Sequence, residues 1–113
     1  MKTSNQAVAP RDWGDGCKTW ELARHPDLAV FHERMPPGTA ERAHWHETAR
    51  QVFFVLEGTL WIQSGDTHQR LERHEAMEIA PGTLHVVSNR SDRPAEFLAI
   101  SHPIPLDDRH YPD

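Results

Sequence analysis

A single cysteine, Cys17, excludes an internal disulfide and any zinc site built from several thiolates. Long apolar stretches are missing too. The longest mostly apolar run, Val52 to Leu56, is far short of the roughly 20 residues that cross a bilayer. The opening stretch MKTSNQAVAPRDW carries one lysine and no apolar segment, which argues against a secretory signal and makes the cytoplasm the expected location. Nowhere do five Lys or Arg residues stand together, and the net charge is −5 with histidine neutral. Neither nucleic acid nor a membrane is therefore an expected partner. Helical periodicity is also hard to find.

What remains is a chain of 113 residues, 37% apolar and 26% charged, the size and balance of one soluble globular domain. Short runs rich in Val, Ile, Phe, Leu and Trp alternate with turn signals such as MPPG at 35–38, EG at 57–58, SGD at 64–66, APG at 80–82 and NRSDRP at 89–94. The expected strands are 18–25, 28–35, 44–46, 51–57, 60–64, 67–73, 76–79, 85–89 and 95–101. Many short strands without a helix to cover a sheet imply an all-β sandwich, jelly roll or small barrel, with its core at about 18–102. Residues 1–12 and 103–113 lack alternation and are expected to form extended tails.

Nine histidines are many for a chain of this size. On a strand, side chains two apart share a face, so His44 and His46 can aim at one point while Trp45 faces the other way. Gln51 can join them if the intervening ETAR segment bends, and His85 opens another strand after the APGTL turn. Three imidazoles and one amide oxygen can thus converge and hold a divalent ion with positions left for water or substrate. Without an ion, three inward histidines would need other hydrogen-bond partners in a mostly apolar interior. The ion would be Zn, Ni, Fe, Mn or Cu, one per chain, since all accept imidazole with oxygen ligands.

The pattern Gly38-x5-His44-x-His46-x4-Gln51-x6-Gly58 resembles the first motif of the cupins, and Gly82-x2-His85-x3-Asn89 the end of the second. The resemblance spans about residues 28–101. It implies a double-stranded β-helix, the cupin jelly-roll barrel, in a single domain over 1–113, with metal ligation by His44, His46 and His85. Gln51 stands where these proteins usually place a glutamate, and His74 where the second motif usually begins with glycine; His74 reads as a turn or surface residue. A site of neutral ligands leaves the ion its full +2 charge, making it a stronger Lewis acid but a less tightly held one.

The set His, His, Gln, His also resembles that of small cupins that help open unsaturated uronate rings. Those proteins use an acid and an arginine near the end of the last strand; here Ala99 and Ile100 occupy the acid's place, and the nearby arginine is Arg109 in the tail. Catalytic residues are thus unassigned. The function expected is a metal-dependent enzyme acting on a small oxygen-rich molecule, as an isomerase or lyase or as an oxygenase. The alternatives are a module that binds metal or a small ligand without turnover, and a metal-free structural barrel. Arg50 and His102 are secondary candidates near the site, and Phe53, Val55, Met77 and Ile79 fit either a pocket lining or a plain core. Trp45 and Trp61 suit an outer face covered in a homodimer.

Overall fold

A computed structural model describes residues 1–105 and 107–113. Among them are β1 (Arg11–Trp13), β2 (Cys17–His25), β3 (Leu28–Met35), β4 (Trp45–His46), β5 (Arg50–Glu57), β6 (Leu60–Ser64), β7 (Thr67–Leu71), β8 (Ala76–Ile79), β9 (His85–Ser88), β10 (Ala95–His102) and β11 (Arg109–His110). Strands β2 to β10 fall where the alternation and turn signals placed them. The first and last do not: Arg11–Trp13 pairs with β2, and Arg109–His110 pairs with β4. Both lie outside the expected 18–102 core and join the sheets as short additions. No helix among the described residues is long and apolar enough to cross a membrane.

A six-stranded sheet in the order β1-β2-β3-β10-β5-β8 packs against a three-stranded sheet in the order β7-β6-β9, with β11-β4 as a small third pair. Every pairing is antiparallel, and the whole is a double-stranded β-helix. Period-two alternation fixes its inner face. In β10, Ala95, Phe97, Ala99 and Ser101 are buried while their neighbours are partly exposed; in β5 the buried positions are Gln51, Phe53 and Val55. Register lines these up in cross-strand rows: Phe97 opposite Val55, Ala99 opposite Phe53, Ser101 opposite Gln51. The first two rows meet Leu60, Ile62 and Val87 of the smaller sheet to make the apolar core. The third row is polar and belongs to the site.

Two turn residues explain parts of the sequence pattern. Gly58, between β5 and β6, has φ +78°, and an added Cβ would collide with the Pro94 carbonyl oxygen, so only glycine fits. His74 also has a left-handed backbone, with φ 70°. Its amide donates to the Val55 carbonyl at 2.8 Å, and its exposed ring stacks on Phe54. His74 is thus a turn residue in a position that glycine would occupy more easily. Asn89, at the end of the second motif, is buried and donates from its amide to the Met35 and Arg93 carbonyls, tying the end of β3 to the 89–94 loop.

Candidate metal centre and adjoining cavity

His46 lies on β4, His85 opens β9, and His44 lies just before β4, bridged to His85 by a reciprocal backbone pair: His44 N to His85 O at 3.2 Å and His85 N to His44 O at 2.9 Å. The turn before β9 is held by the Gly82 amide, which donates to the His46 carbonyl at 2.7 Å. Backbone pairing therefore sets His44 beside His85, with His46 two residues along on β4. Their ring centroids are 4.5 to 6.0 Å apart, and one ligating atom from each lies within 4.8 Å of the others. All three residues are 1–2% exposed.

The outer nitrogens decide the tautomers. His44 Nδ1 bonds the Arg42 carbonyl at 2.7 Å, and His85 Nδ1 bonds the Thr83 carbonyl at 2.9 Å. A carbonyl oxygen can only accept, so each Nδ1 carries the proton and each Nε2 keeps its lone pair. His46 Nδ1 donates to Asp108 Oδ1 at 2.9 Å with the same effect. Burial pushes all three imidazoles down, His44 to about 3, with further lowering by neighbouring positive charge and a partial offset from the hydrogen bonds. At neutral pH the cluster is three uncharged nitrogen donors.

Gln51 completes the group from β5. Its amide Nε2 donates to Ser101 Oγ of β10 at 3.1 Å, the residue directly opposite in register, and this leaves Oε1 free. Among the described residues, His46 Nε2, His85 Nε2 and Gln51 Oε1 are buried without a hydrogen-bond partner. Such orphaned groups are costly unless something satisfies them, and a divalent cation takes both imidazole lone pairs and an amide oxygen. The donor set fits a metal ion.

Asp108 was not legible in the sequence. It sits just before β11, 62 residues from His46, and besides that ring it accepts from Thr48 N at 3.1 Å, Thr48 Oγ1 at 2.9 Å and Ala49 N at 3.0 Å. Burial alone would raise its carboxyl, but these hydrogen bonds outweigh burial and hold it below the ordinary range. The tail that lacked alternation is therefore hooked onto a site histidine. Trp45 of β4 stacks on His110 of β11, so the chain's own tail covers its ring.

A cavity of about 320 Å³ adjoins the histidines, bordered by His44, Gln51 and Phe53 on one side and by Trp13, Glu33, Glu41 and Arg109 elsewhere. Glu33 of β3 accepts from Thr19 Oγ1 at 2.6 Å. Glu41, three residues before His44, is pushed up to about 8 by burial and then by the negative charge of Glu33, with Arg109 opposing. The secondary candidates lie elsewhere. Arg50 forms a surface ion pair with Glu78 at 2.7 Å, and His102 hydrogen-bonds the Asp27 carbonyl in the β2–β3 turn. Neither borders the cavity. Phe53 both borders it and belongs to the apolar core, whereas Val55 and Ile79 are core residues and Met77 packs against them. Glu41 offered one faint sequence clue, a charge three residues before His44 inside the first motif; Trp13 and Asp108 offered none.

The family model described as "Cupin domain" matches residues 31–101. A tetracenomycin polyketide synthase protein, TcmJ, of Streptomyces glaucescens is 29% identical over 73 residues, covering 65% of this chain and 49% of that protein. The chain thus spans about half the length of that relative. Among solved structures, a predicted oxalate decarboxylase of Thermotoga maritima superposes with a TM-score of 0.84 at 18% identity, covering 92% of this chain and all of that one. A sugar phosphate isomerase of the cupin superfamily from Silicibacter pomeroyi gives 0.82 at 21% identity, over 93% of this chain and 77% of its own. At these identities the likeness is one of fold.

Proposed function

Because this chain belongs to the cupin family, we propose that it is a metal-dependent enzyme acting on a small oxygen-rich molecule, of isomerase or lyase type or of oxygenase type. His44, His46 and His85 would hold one divalent transition ion through Nε2, with Gln51 Oε1 as the fourth donor. The observation that carries this reading is the set of orphaned inward atoms, His46 Nε2, His85 Nε2 and Gln51 Oε1, in a cluster whose tautomers are already fixed for ligation. When bound, such an ion supplies Lewis acidity toward a carbonyl or hydroxyl oxygen, undiminished by any anionic ligand.

The chain's own residues supply the rest. Ser101 fixes the Gln51 amide so that its oxygen faces inward, Asp108 orients His46, and the cavity beside His44 gives a small molecule room next to the cluster. Glu41 can hold a proton near neutral pH at the cavity wall. The names of the two structural neighbours, a sugar phosphate isomerase and a predicted oxalate decarboxylase, are in keeping with an oxygen-rich substrate.

The test is elemental analysis and zinc titration of the purified protein beside a His44→Ala, His46→Ala double variant. About one ion per chain is expected in the parent and none in the variant. Stoichiometric zinc in the double variant would refute the assignment.

A further inference from the structure

Two more buried polar atoms lack partners among the described residues, and both belong to residues that border the cavity: Trp13 Nε1 and Glu41 Oε1. They come from different parts of the fold. Trp13 ends β1, which the sheet holds through pairing with Cys17 of β2, and Glu41 is anchored by its backbone amide, which donates to the Val87 carbonyl at 3.0 Å. Glu33, the other carboxyl on this wall, already receives the Thr19 hydroxyl, so Glu41 is the one left wanting a partner. Neither atom belongs to the orphaned set of the histidine cluster; Glu41 Oε1 lies 4.0 Å from His44 Nδ1, whose proton goes to the Arg42 carbonyl.

We propose that Trp13 and Glu41 form a hydroxyl-recognising subsite beside the metal centre, and that the ligand is a polyhydroxylated small molecule. This rests on the metal-centre reading above and adds the substrate class. The chemistry selects the group. The indole N–H can only donate, so its partner must be an acceptor; the Glu41 oxygen, when ionised, needs a donor. A hydroxyl accepts from the one and donates to the other, and it still serves if the carboxyl is protonated, because it can then accept twice. A ligand carboxylate could accept from the indole and from a protonated Glu41, but it would repel the ionised one. A ketone or ether oxygen could likewise accept from both groups while Glu41 is protonated but could not donate to the ionised one, so the hydroxyl is the group that serves both states. Leaving both groups unpaired against an analogue without the hydroxyl is costly, which is how a site built to hydrogen-bond an OH rejects the molecule that lacks it.

The experiment follows the indole N–H resonances of the four tryptophans by NMR in the zinc-loaded full chain, with Trp13 assigned from a Trp13→Phe variant. The probes are xylitol and 1,5-pentanediol, which has the same chain length without the three inner hydroxyls, and glutarate as an anion. Xylitol is expected to shift the Trp13 resonance saturably, with a dissociation constant of about 1 mM for a ligand of this size, and 1,5-pentanediol to bind at least tenfold more weakly. Glu41→Ala should remove that preference and Glu41→Gln should restore part of it, with the other three indole resonances unmoved as proof of folding.

A shift that stays linear in xylitol would mean that only water occupies the subsite and would overturn the proposal. Equal responses to xylitol and pentanediol, or a stronger one to glutarate, would overturn it as well. Zinc binding is read separately. If zinc binds at one per chain while the Trp13 resonance ignores xylitol, the subsite fails and the metal centre stands; if zinc does not bind, the metal centre is what fails.

Discussion

The histidine cluster and the cavity beside it are built differently. The cluster comes mainly from the barrel: His44 and His85 are locked by their mutual backbone bridge and by carbonyls two residues away, His46 by its place on β4, and Gln51 by its cross-strand partner Ser101. The cavity beside His44 adds residues from the chain's extremities, Trp13 from the first strand and Arg109 from the last, to Glu33 of β3 and Glu41. One residue joins them: Asp108, in the tail, orients His46 in the barrel. The comparison teaches that a barrel can fix most of its donor atoms locally while leaving part of the cavity lining and the outer support of His46 to segments outside the expected core.

Removing that join should have the largest effect. Asp108→Ala takes away the acceptor that holds the His46 proton on Nδ1 and leaves Thr48 and Ala49 amides without their partner. A loss of about 10–100-fold in zinc affinity is expected, measured by competition with a chelator of known affinity. The tail should also be cut faster by protease in the variant, because its hook to the barrel is gone. An unchanged zinc affinity would mean that the histidine cluster needs no help from the tail.

How much could be read from the residues follows the same division. The nine barrel strands announced themselves through alternation and turn residues, and the His44-x-His46 spacing dictates a shared face on any strand. Gln51 was legible only with a bend between it and His46, and the break between β4 and β5 supplies it. By contrast, Asp108 acts on a residue 62 positions away and Trp13 on a cavity whose other walls lie far along the chain. Strands as short as β1 and β11 show no period, and nothing local marks a carboxylate that will cap a distant imidazole. Contacts set by register are periodic and visible; contacts set by where a tail happens to dock are not.

A smaller effect separates the histidine cluster from Glu41 by pH in the metal-free protein. The histidines are pushed below their unfolded value, His44 from 6.5 to about 3, so the unfolded chain binds more protons in that window. Their contribution is intact above pH 6.5 and is lost as pH falls toward 3. Glu41 behaves in the opposite sense. Raised from 4.5 to about 8, it makes the folded state the better proton binder between those values, so its contribution declines as pH rises through them. Urea titrations at several pH values should show Glu41→Gln flattening the decline on the alkaline side and leaving the acid limb in place. If Glu41→Gln leaves the alkaline side unchanged, the cavity wall is not buried as described.

The central claim is that three neutral imidazoles stand ready with their Nε2 lone pairs inward. The most direct test is zinc titration calorimetry near pH 7 in two buffers of different ionisation enthalpy, because the difference in apparent heat counts the protons released per ion bound. With Nδ1 carrying the only proton on each ring, one zinc ion per chain should bind with release of less than about one proton, the share lost by a zinc-bound water. Release of two or three protons per ion would show that the histidines are charged in the free protein, and would contradict the account.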